Sequence, residues 1–208
     1  LMGVYALTNA FAYVAGYDFT SDSNSLQIAV EAEALDATPY GLGWRQYTGG
    51  LKSSTFDMAG FWQSAASQAV DPEAFAALGA ADQVFTFGTS QIEGDPAFLF
   101  QGMKASYELG GAVGVVAPYS LKAVGSNGVG AVRGKLTKSR GNVSATGPLG
   151  TGLTLTAPTA TQFVYCTVHI FTAGTTVTLQ LQSDDNGGFS TPTTIATIGP
   201  LTTSGGTW

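Results

Sequence analysis

The sequence is poor in charge, in cysteine and in histidine. Charged residues make up 11% of its 208 residues, and it holds one cysteine and one histidine. A single cysteine excludes an intramolecular disulfide framework, and this pair alone cannot supply the ligands of a zinc site. No run of about 18 apolar residues is present, so no transmembrane helix is predicted. We also expect no signal peptide, because the N-terminal stretch lacks a basic region followed by a continuous apolar segment.

The charges that are present form no basic stripe. The formal net charge is −6, so sequence-reading DNA or RNA binding is not expected. Globular proteins usually carry about a quarter of charged residues. Here Gly and Thr take that place, which suits a chain packed against copies of itself better than a free monomer.

Hydrophobic periodicity predicts a mainly β chain. In SLQIAVEAEAL the apolar residues Leu26, Ile28, Val30 and Ala32 alternate with polar ones, as in a half-buried strand. Four further strands are predicted in LKSSTFDMAGFW, QVFTFG, AFLFQGMKASYEL and AVGVVAPYSLKAV. The last of these places the residues from Val113 to Leu121 at odd positions on one face.

One short helix is predicted in VDPEAFAALGA. Asp71 is placed to act as its N-cap, Pro72 suits the first helical position, and Gly79 can end it.

Composition divides the chain into two domains. Residues 1–138 carry the strands and the helix named above. Residues 139–152 are rich in Gly, Ser and Pro without periodicity, which predicts a linker or crossover. Residues 153–208 turn to Thr and branched side chains and predict a small C-terminal β-domain of sandwich (Ig-like) or jelly-roll type.

The polar residues do not assemble a catalytic, cofactor or metal site. Cys166 and His169 point to opposite faces of a strand, so they cannot act as a nucleophilic pair. His169 is therefore interpreted as a structural, hydrogen-bonded histidine and Cys166 as a small core residue. Glu31 and Glu33 lie about 7 Å apart on one strand face. That spacing fits an inverting glycosidase pair but also any solvated strand. The cluster SDDNGG at 183–188 allows calcium ligation, but it is also ordinary turn chemistry. We therefore expect a protein that is not an enzyme.

A glycine-punctuated loop precedes the second strand and carries large side chains. They are Tyr40, Leu42, Trp44, Arg45 and Tyr47. Trp, Tyr and Arg are enriched at the energetic centres of protein interfaces, so these five are candidates for a subunit interface. The alternative is that Tyr40, Leu42 and Trp44 fold back onto their own sheet.

The order of these segments carries a family resemblance. EALDATPYG is followed by the loop with Arg45, by GGLKSSTFDMAGFW, by the short helix and by FLFQGMKASYELGGAVGVVAPYSLKAVG. Over about residues 3–137 this order resembles the tail tube (major tail) proteins of long-tailed, siphovirus-like bacteriophages. The resemblance implies a β-sandwich tube domain with one short helix, followed here by the small C-terminal β-sandwich domain.

The resemblance also implies an assembly. Hexameric rings of this chain would stack into a tail tube through which genomic DNA is ejected, with other tail proteins at the tube ends. The protein would be located in the virion tail after assembly in the host cytoplasm, without membrane insertion. Tube lumens of this family are typically acidic, which makes Glu31 and Glu33 lumen candidates. A solvent-exposed position on the outer surface is equally open for both.

A second reading of the chain is a capsid decoration or minor tail protein whose C-terminal domain binds a glycan. Phe163, Tyr165 and Phe171 could line a shallow groove there. They could equally form the core between its sheets.

Overall fold

A computed structural model describes residues 7–64, 69–156, 159–172 and 174–208. Within these ranges the chain forms twelve strands and one short helix, which confirms the predicted mainly β class. The elements are β1 (Phe11–Val14), β2 (Tyr17–Asp18), β3 (Ser23–Asp36), β4 (Tyr47–Phe61), α1 (Val70–Ala76), β5 (Gln83–Gly88), β6 (Pro96–Leu109), β7 (Pro118–Gly125), β8 (Val132–Lys135), β9 (Val168–Ile170), β10 (Val177–Ser183), β11 (Thr193–Leu201) and β12 (Gly205–Thr207).

The chain forms two compact units whose segments alternate along the sequence. The first unit comprises residues 1–21, 84–99 and 132–208, and the second comprises 22–83 and 100–131. Both the linker predicted at 139–152 and the domain predicted at 153–208 fall within the first unit. An independent C-terminal domain therefore stays a prediction.

The second unit is built on an antiparallel sheet. β4 pairs with β3 on one side and with β7 on the other, and β7 pairs with β6. Along β4 every second residue from Ser54 to Gly60 is buried, as the alternation in its sequence predicts. Phe56 and Met58 share this buried side with Leu121 of β7, opposite Met58.

Helix α1 shows a different N-terminus from the predicted one. Its N-cap is Ala69, which makes no side-chain capping bond, so the prediction that Asp71 caps the helix is wrong. The Asp71 carboxylate instead accepts hydrogen bonds from Trp62 Nε1 at 3.1 Å and from the Tyr107 hydroxyl at 2.9 Å. These two donors come from β6 and from just beyond the end of β4, so Asp71 fastens the helix to the sheet.

A buried lysine also holds α1. Lys104 of β6 is 3% exposed, and its Nζ donates to the backbone oxygen of Glu73 at 2.7 Å. Burial lowers the pKa of Lys104 to about 8.

The strand predicted from Val113 onwards begins later. β7 starts at Pro118, and residues 110–117 form the β6–β7 loop instead. Gly114 adopts a φ of +91°, and Val115 N donates to Ala112 O at 3.3 Å, so the chain turns where an extended strand was expected. The predicted strand over Val113–Ala117 is wrong for this reason.

The core of the first unit includes side chains of β1. Phe11 and Tyr13 are buried with Ala97 and Leu136, and Phe171 packs against this cluster. In this unit β1 pairs with β2 and β5, β6 with β8, β9 with β12, and β10 with β11, all antiparallel.

Residues of the predicted linker are held by two acidic side chains of the first unit. Glu93 accepts hydrogen bonds from Ser139 N at 3.0 Å, Thr151 Oγ1 at 2.8 Å and Lys138 Nζ at 3.1 Å. These bonds lower the pKa of Glu93 to about 2. Arg140 forms a salt bridge with Asp18 at 2.6 Å. The segment is therefore fixed by polar contacts at several points.

His169 is the structural histidine that the sequence indicates. Its Nδ1 lies 2.8 Å from the backbone oxygen of Ala15, and its Nε2 lies 2.7 Å from the Thr86 hydroxyl. A carbonyl only accepts, so Nδ1 carries the proton and Nε2 accepts from Thr86. The Thr86 hydroxyl in turn lies 2.9 Å from that of Thr167. The ring is therefore neutral and joins β9 to the turn after β1.

This arrangement predicts acid sensitivity. Burial lowers the pKa of His169 to about 4, from 6.5 when unfolded. The unfolded chain therefore binds more protons between these values, and stability falls as the pH drops from 6.5 to 4. We expect His169 to account for a loss of up to about 3 kcal/mol in the free energy of unfolding. Urea unfolding at pH 7 and pH 4.5 measures it. The His169→Gln variant is the reference: an equal decline in both proteins would contradict this role.

Candidate subunit interface

The β3–β4 hairpin is longer than the sheet that supports it. β3 pairs with β4 from Ser23 to Asp36, whereas β7 pairs with β4 only from Thr55 to Phe61. The part of β4 before Ser54 is therefore paired with β3 alone. We name residues 30–53, which include the connecting loop 37–46, the arm.

Burial stops where the arm begins. The alternation of buried residues along β4 ends at Ser54, and residues 47–53 are exposed apart from the half-buried Gly50. The exposed apolar side chains of the arm strands are Val30, Leu35, Tyr47 and Leu51, with exposed fractions of 61%, 43%, 58% and 84%. A two-stranded ribbon is at best marginally stable alone in water. The arm is thus an apolar element without a core of its own.

The loop of the arm is ordered by short polar contacts at its base. Ala37 N donates to Gln46 O at 2.9 Å, and Gln46 N donates to Thr38 Oγ1 at 2.8 Å. The Asp36 carboxylate accepts from Thr38 N at 3.0 Å and from the Thr38 hydroxyl. These bonds lower the pKa of Asp36. The aromatic residues are consequently presented on a fixed base.

The five interface candidates all lie on the arm. Tyr40 is fully exposed, Trp44 is 89% exposed and Leu42 is 52% exposed. None of these three is folded against the chain's own sheet. Arg45 Nη1 donates to the Tyr47 hydroxyl at 3.3 Å. The five therefore share one exposed segment, within which Arg45 and Tyr47 are in contact, and their role at an interface stays a prediction.

The two lumen candidates lie on β3 within the same arm. Glu31 is opposite Ser53 and is exposed. Glu33 is also exposed and lies at a β-bulge, between the pairs Ala32–Lys52 and Ala34–Gly49. A lumen position for either carboxylate stays a prediction.

The face of the sheet opposite the buried one is polar, a feature not predicted as a site. Gln27, Asp57, Lys122 and Ser106 form one row across the four strands, as their pairing shows. Ser25, Ala59, Ser120 and Glu108 form the next row. The two rows line an open depression of about 230 Å³. The polar positions of the period-2 pattern in β4 and β7 are the signal that could have found this face.

Among the described residues no group of three or more His, Cys, Asp or Glu side chains is arranged to hold a metal ion. Asp184 accepts from Asn186 N at 3.1 Å and Thr191 N at 3.0 Å, which is turn chemistry. No helix in the described part of the chain has the length and hydropathy needed to span a bilayer.

Comparison with known proteins gives structural similarity only. No family model and no curated protein matches the sequence. A chain of the virion of a native gene transfer agent particle is similar at 17% identity and a TM-score of 0.48, covering 64% of this chain and 98% of that one. The SPP1 tail tube is similar at 8% identity and a TM-score of 0.49, covering 64% and 80%. The tail of an empty gene transfer agent particle, with C6 symmetry, is similar at 19% identity and a TM-score of 0.42, covering 55% of this chain and 81% of that one.

These solved structures are components of a virion and of tails, the class that the sequence resembles. With every TM-score below 0.5 and every identity below 25%, the similarity does not fix a function. The function has to be inferred from the chain's own geometry.

The contacts at the base of the loop generate a prediction. We expect Thr38→Val to increase amide hydrogen exchange in residues 37–46, because the Gln46 amide loses its acceptor. Exchange read by mass spectrometry on arm peptides measures this. Thr48→Val, on the β4 strand of the same arm, is the matched control and should leave these rates unchanged. Equal rates in wild type and Thr38→Val would contradict the assignment.

Proposed function

We propose that this chain is a structural, non-enzymatic subunit of a phage tail tube. Homo-hexameric rings of the chain stack into a tube, through which genomic DNA is ejected, and other tail proteins bind at its ends. The observation that carries the proposal is the arm, because its apolar side chains are exposed and lie beyond the part of the hairpin that β7 flanks. Copies of the same chain are the partners that would bury them in every subunit alike.

The edge strand of the sheet supports assembly with neighbouring copies. β3 has 14 residues, and within the described ranges it pairs only with β4. Proteins that remain monomeric usually protect such an edge with Lys, Pro, a bulge or a short strand. β3 contains no Lys and no Pro, but its pairing with β4 is irregular between Ser23 and Ser25 and between Ala32 and Ala34. The regular stretch from Ser25 to Ala32 is therefore the part of this edge that can extend the sheet into a neighbouring subunit.

The polar face supports a role in DNA passage. Asp57, Glu108 and Lys122 lie on it, and Glu31 shares the outward side of β3 with Gln27, so carboxylates outnumber the one ammonium group on this side. A wall of acidic character repels phosphates and so keeps DNA from adhering during transit. We place Glu31 and Glu33 at the lumen for this reason.

A second candidate function is favoured by one cluster in the first unit. The Phe163 ring is 79% exposed, its centroid lies 6.5 Å from that of Tyr165, and Tyr165 lies 5.4 Å from Trp208. Such a row of rings could hold a glycan in a decoration or minor tail protein. Phe171, expected in the same groove, packs on the Tyr13 ring at 5.1 Å and beneath Arg140, so it is not available there. Binding of the full chain to a glycan array tests this alternative.

Assembly of the purified chain tests the main proposal. We expect rings or tubes of uniform diameter in electron micrographs. Leu51→Asp should abolish them, because it places a charge on the exposed arm. The free energy of unfolding should change by no more than about 0.5 kcal/mol, as is usual for surface substitutions. Ile195→Asp, at a residue of the first unit that is 56% exposed, is the matched control. A wild-type chain that stays monomeric at high concentration would overturn the proposal.

The lumen assignment has its own test. The Glu31→Lys/Glu33→Lys variant should still form tubes, but its tubes should retain duplex DNA. Retention should weaken steeply as salt is raised, since it depends on phosphate contacts. Co-sedimentation of assembled tubes with DNA measures it, and Asp184→Lys/Asp185→Lys, which also exchanges two carboxylates for two ammonium groups, serves as the charge-matched control. Tubes of the double variant that retain no more DNA than those of the control would place both residues outside the lumen.

A further inference from the structure

The β6–β7 connection carries a second exposed apolar surface. We name residues 109–116, which comprise the last residue of β6 and most of the β6–β7 loop, the valine loop. Its exposed side chains are Leu109, Val113, Val115 and Val116, with exposed fractions of 49%, 106%, 62% and 68%. These are large apolar groups at a site where loops usually carry polar residues.

The valine loop and the arm lie at opposite ends of the sheet of the second unit. Leu109 pairs with Tyr119, and Pro118 pairs with Phe61, the last residue of β4. Trp62 N donates to Ala117 O at 2.9 Å, which fixes the valine loop to this end. The loop of the arm joins β3 to β4 at Tyr47, the first residue of β4. By strand rise the two ends of β4 are about 45 Å apart.

The valine loop is held in a defined conformation. Val115 N donates to Ala112 O at 3.3 Å, and Gly110 N donates to Pro118 O at 3.5 Å. Gly114 adopts a φ of +91°, which a valine in its place would not tolerate. Valine side chains also have few rotamers to lose. Burial of this loop against a partner therefore costs little conformational entropy.

The loop of the arm has one charged residue, Arg45, and a residue of opposite charge flanks the valine loop. Arg45 lies beside Trp44 on the arm and forms no ion pair within the described ranges. Glu108 is exposed and directly precedes the valine loop. Aromatic and aliphatic side chains would meet at the centre of such a contact, with the Arg–Glu pair at its rim. This is the usual distribution of residues at a protein interface.

We propose that the arm loop of one subunit binds the valine loop of a second copy of this chain. The inference rests on the proposed function and specifies its axial contact. The two surfaces differ and lie at opposite ends of one sheet, so the contact is heterologous. Every bound copy leaves one free arm and one free valine loop, and growth continues along the strand direction.

Two variants test the contact by electron microscopy of the full chain. Val113→Asp/Val115→Asp alters the valine loop, and Leu42→Asp/Trp44→Asp alters the arm loop. Each is expected to form rings that do not stack into tubes. Val129→Asp, at another exposed loop residue of the same unit, is the matched control and should form tubes as the wild type does.

A mixture of the two variants distinguishes a contact between an arm and a valine loop from a contact between two identical surfaces. The arm variant retains an intact valine loop, and the valine variant retains an intact arm. We therefore expect the mixture to form pairs of rings but no longer stacks. Mixtures that contain only single rings would overturn the heterologous contact.

A charge exchange tests the rim. Arg45→Glu should raise the critical concentration for tube formation about two- to fivefold, the range of an exposed ion pair. Addition of Glu108→Arg should restore the wild-type value. An Arg45→Glu/Glu108→Arg variant that assembles no better than Arg45→Glu alone would remove this pair from the contact.

The outcomes distinguish this inference from the proposed function. A wild-type chain that forms neither rings nor tubes would refute the tail tube proposal itself. Wild-type tubes together with equally long tubes of the valine variant would refute only the arm–valine loop contact.

Discussion

The structure depends on one constraint: a two-stranded ribbon has no interior in which to bury apolar side chains. β4 is flanked by β3 and β7 only from Thr55 onward, and before that point β3 is its sole neighbour. Leu51 and Tyr47 therefore stay exposed, although their residue types favour burial. In the proposed assembly, contact with other subunits buries these side chains.

The rest of the second unit can be understood as the support of this arm. Phe56, Met58 and Leu121 bury one face of the sheet and fix the register of β4. Since side chains alternate along a strand, this register also decides which residues form the polar face. The buried core and the polar face are thus two consequences of the same pairing.

The first unit is held together in a different way. Buried polar groups join strands far apart in sequence: the contact between His169 and Ala15 spans 154 residues. Glu93 binds Lys138 and also Ser139 and Thr151, two residues of a glycine-rich stretch with no periodicity. Hydrogen bonds to a charged group are among the stronger polar contacts in proteins, and here they order a segment that the apolar pattern could not.

The sequence alone determined the mainly β class, the alternation along β4, the presence of one short helix, the position of the aromatic loop and the structural nature of His169. Each of these follows from local pattern or from the scarcity of partner residues. Only the tertiary structure decided that β4 loses its second neighbour before Ser54, that Val113–Ala117 form a loop, and that Asp71 binds Trp62 and Tyr107 instead of capping α1. The physical reason is that periodicity describes neighbours within about one strand, whereas these features depend on which distant segment lies alongside.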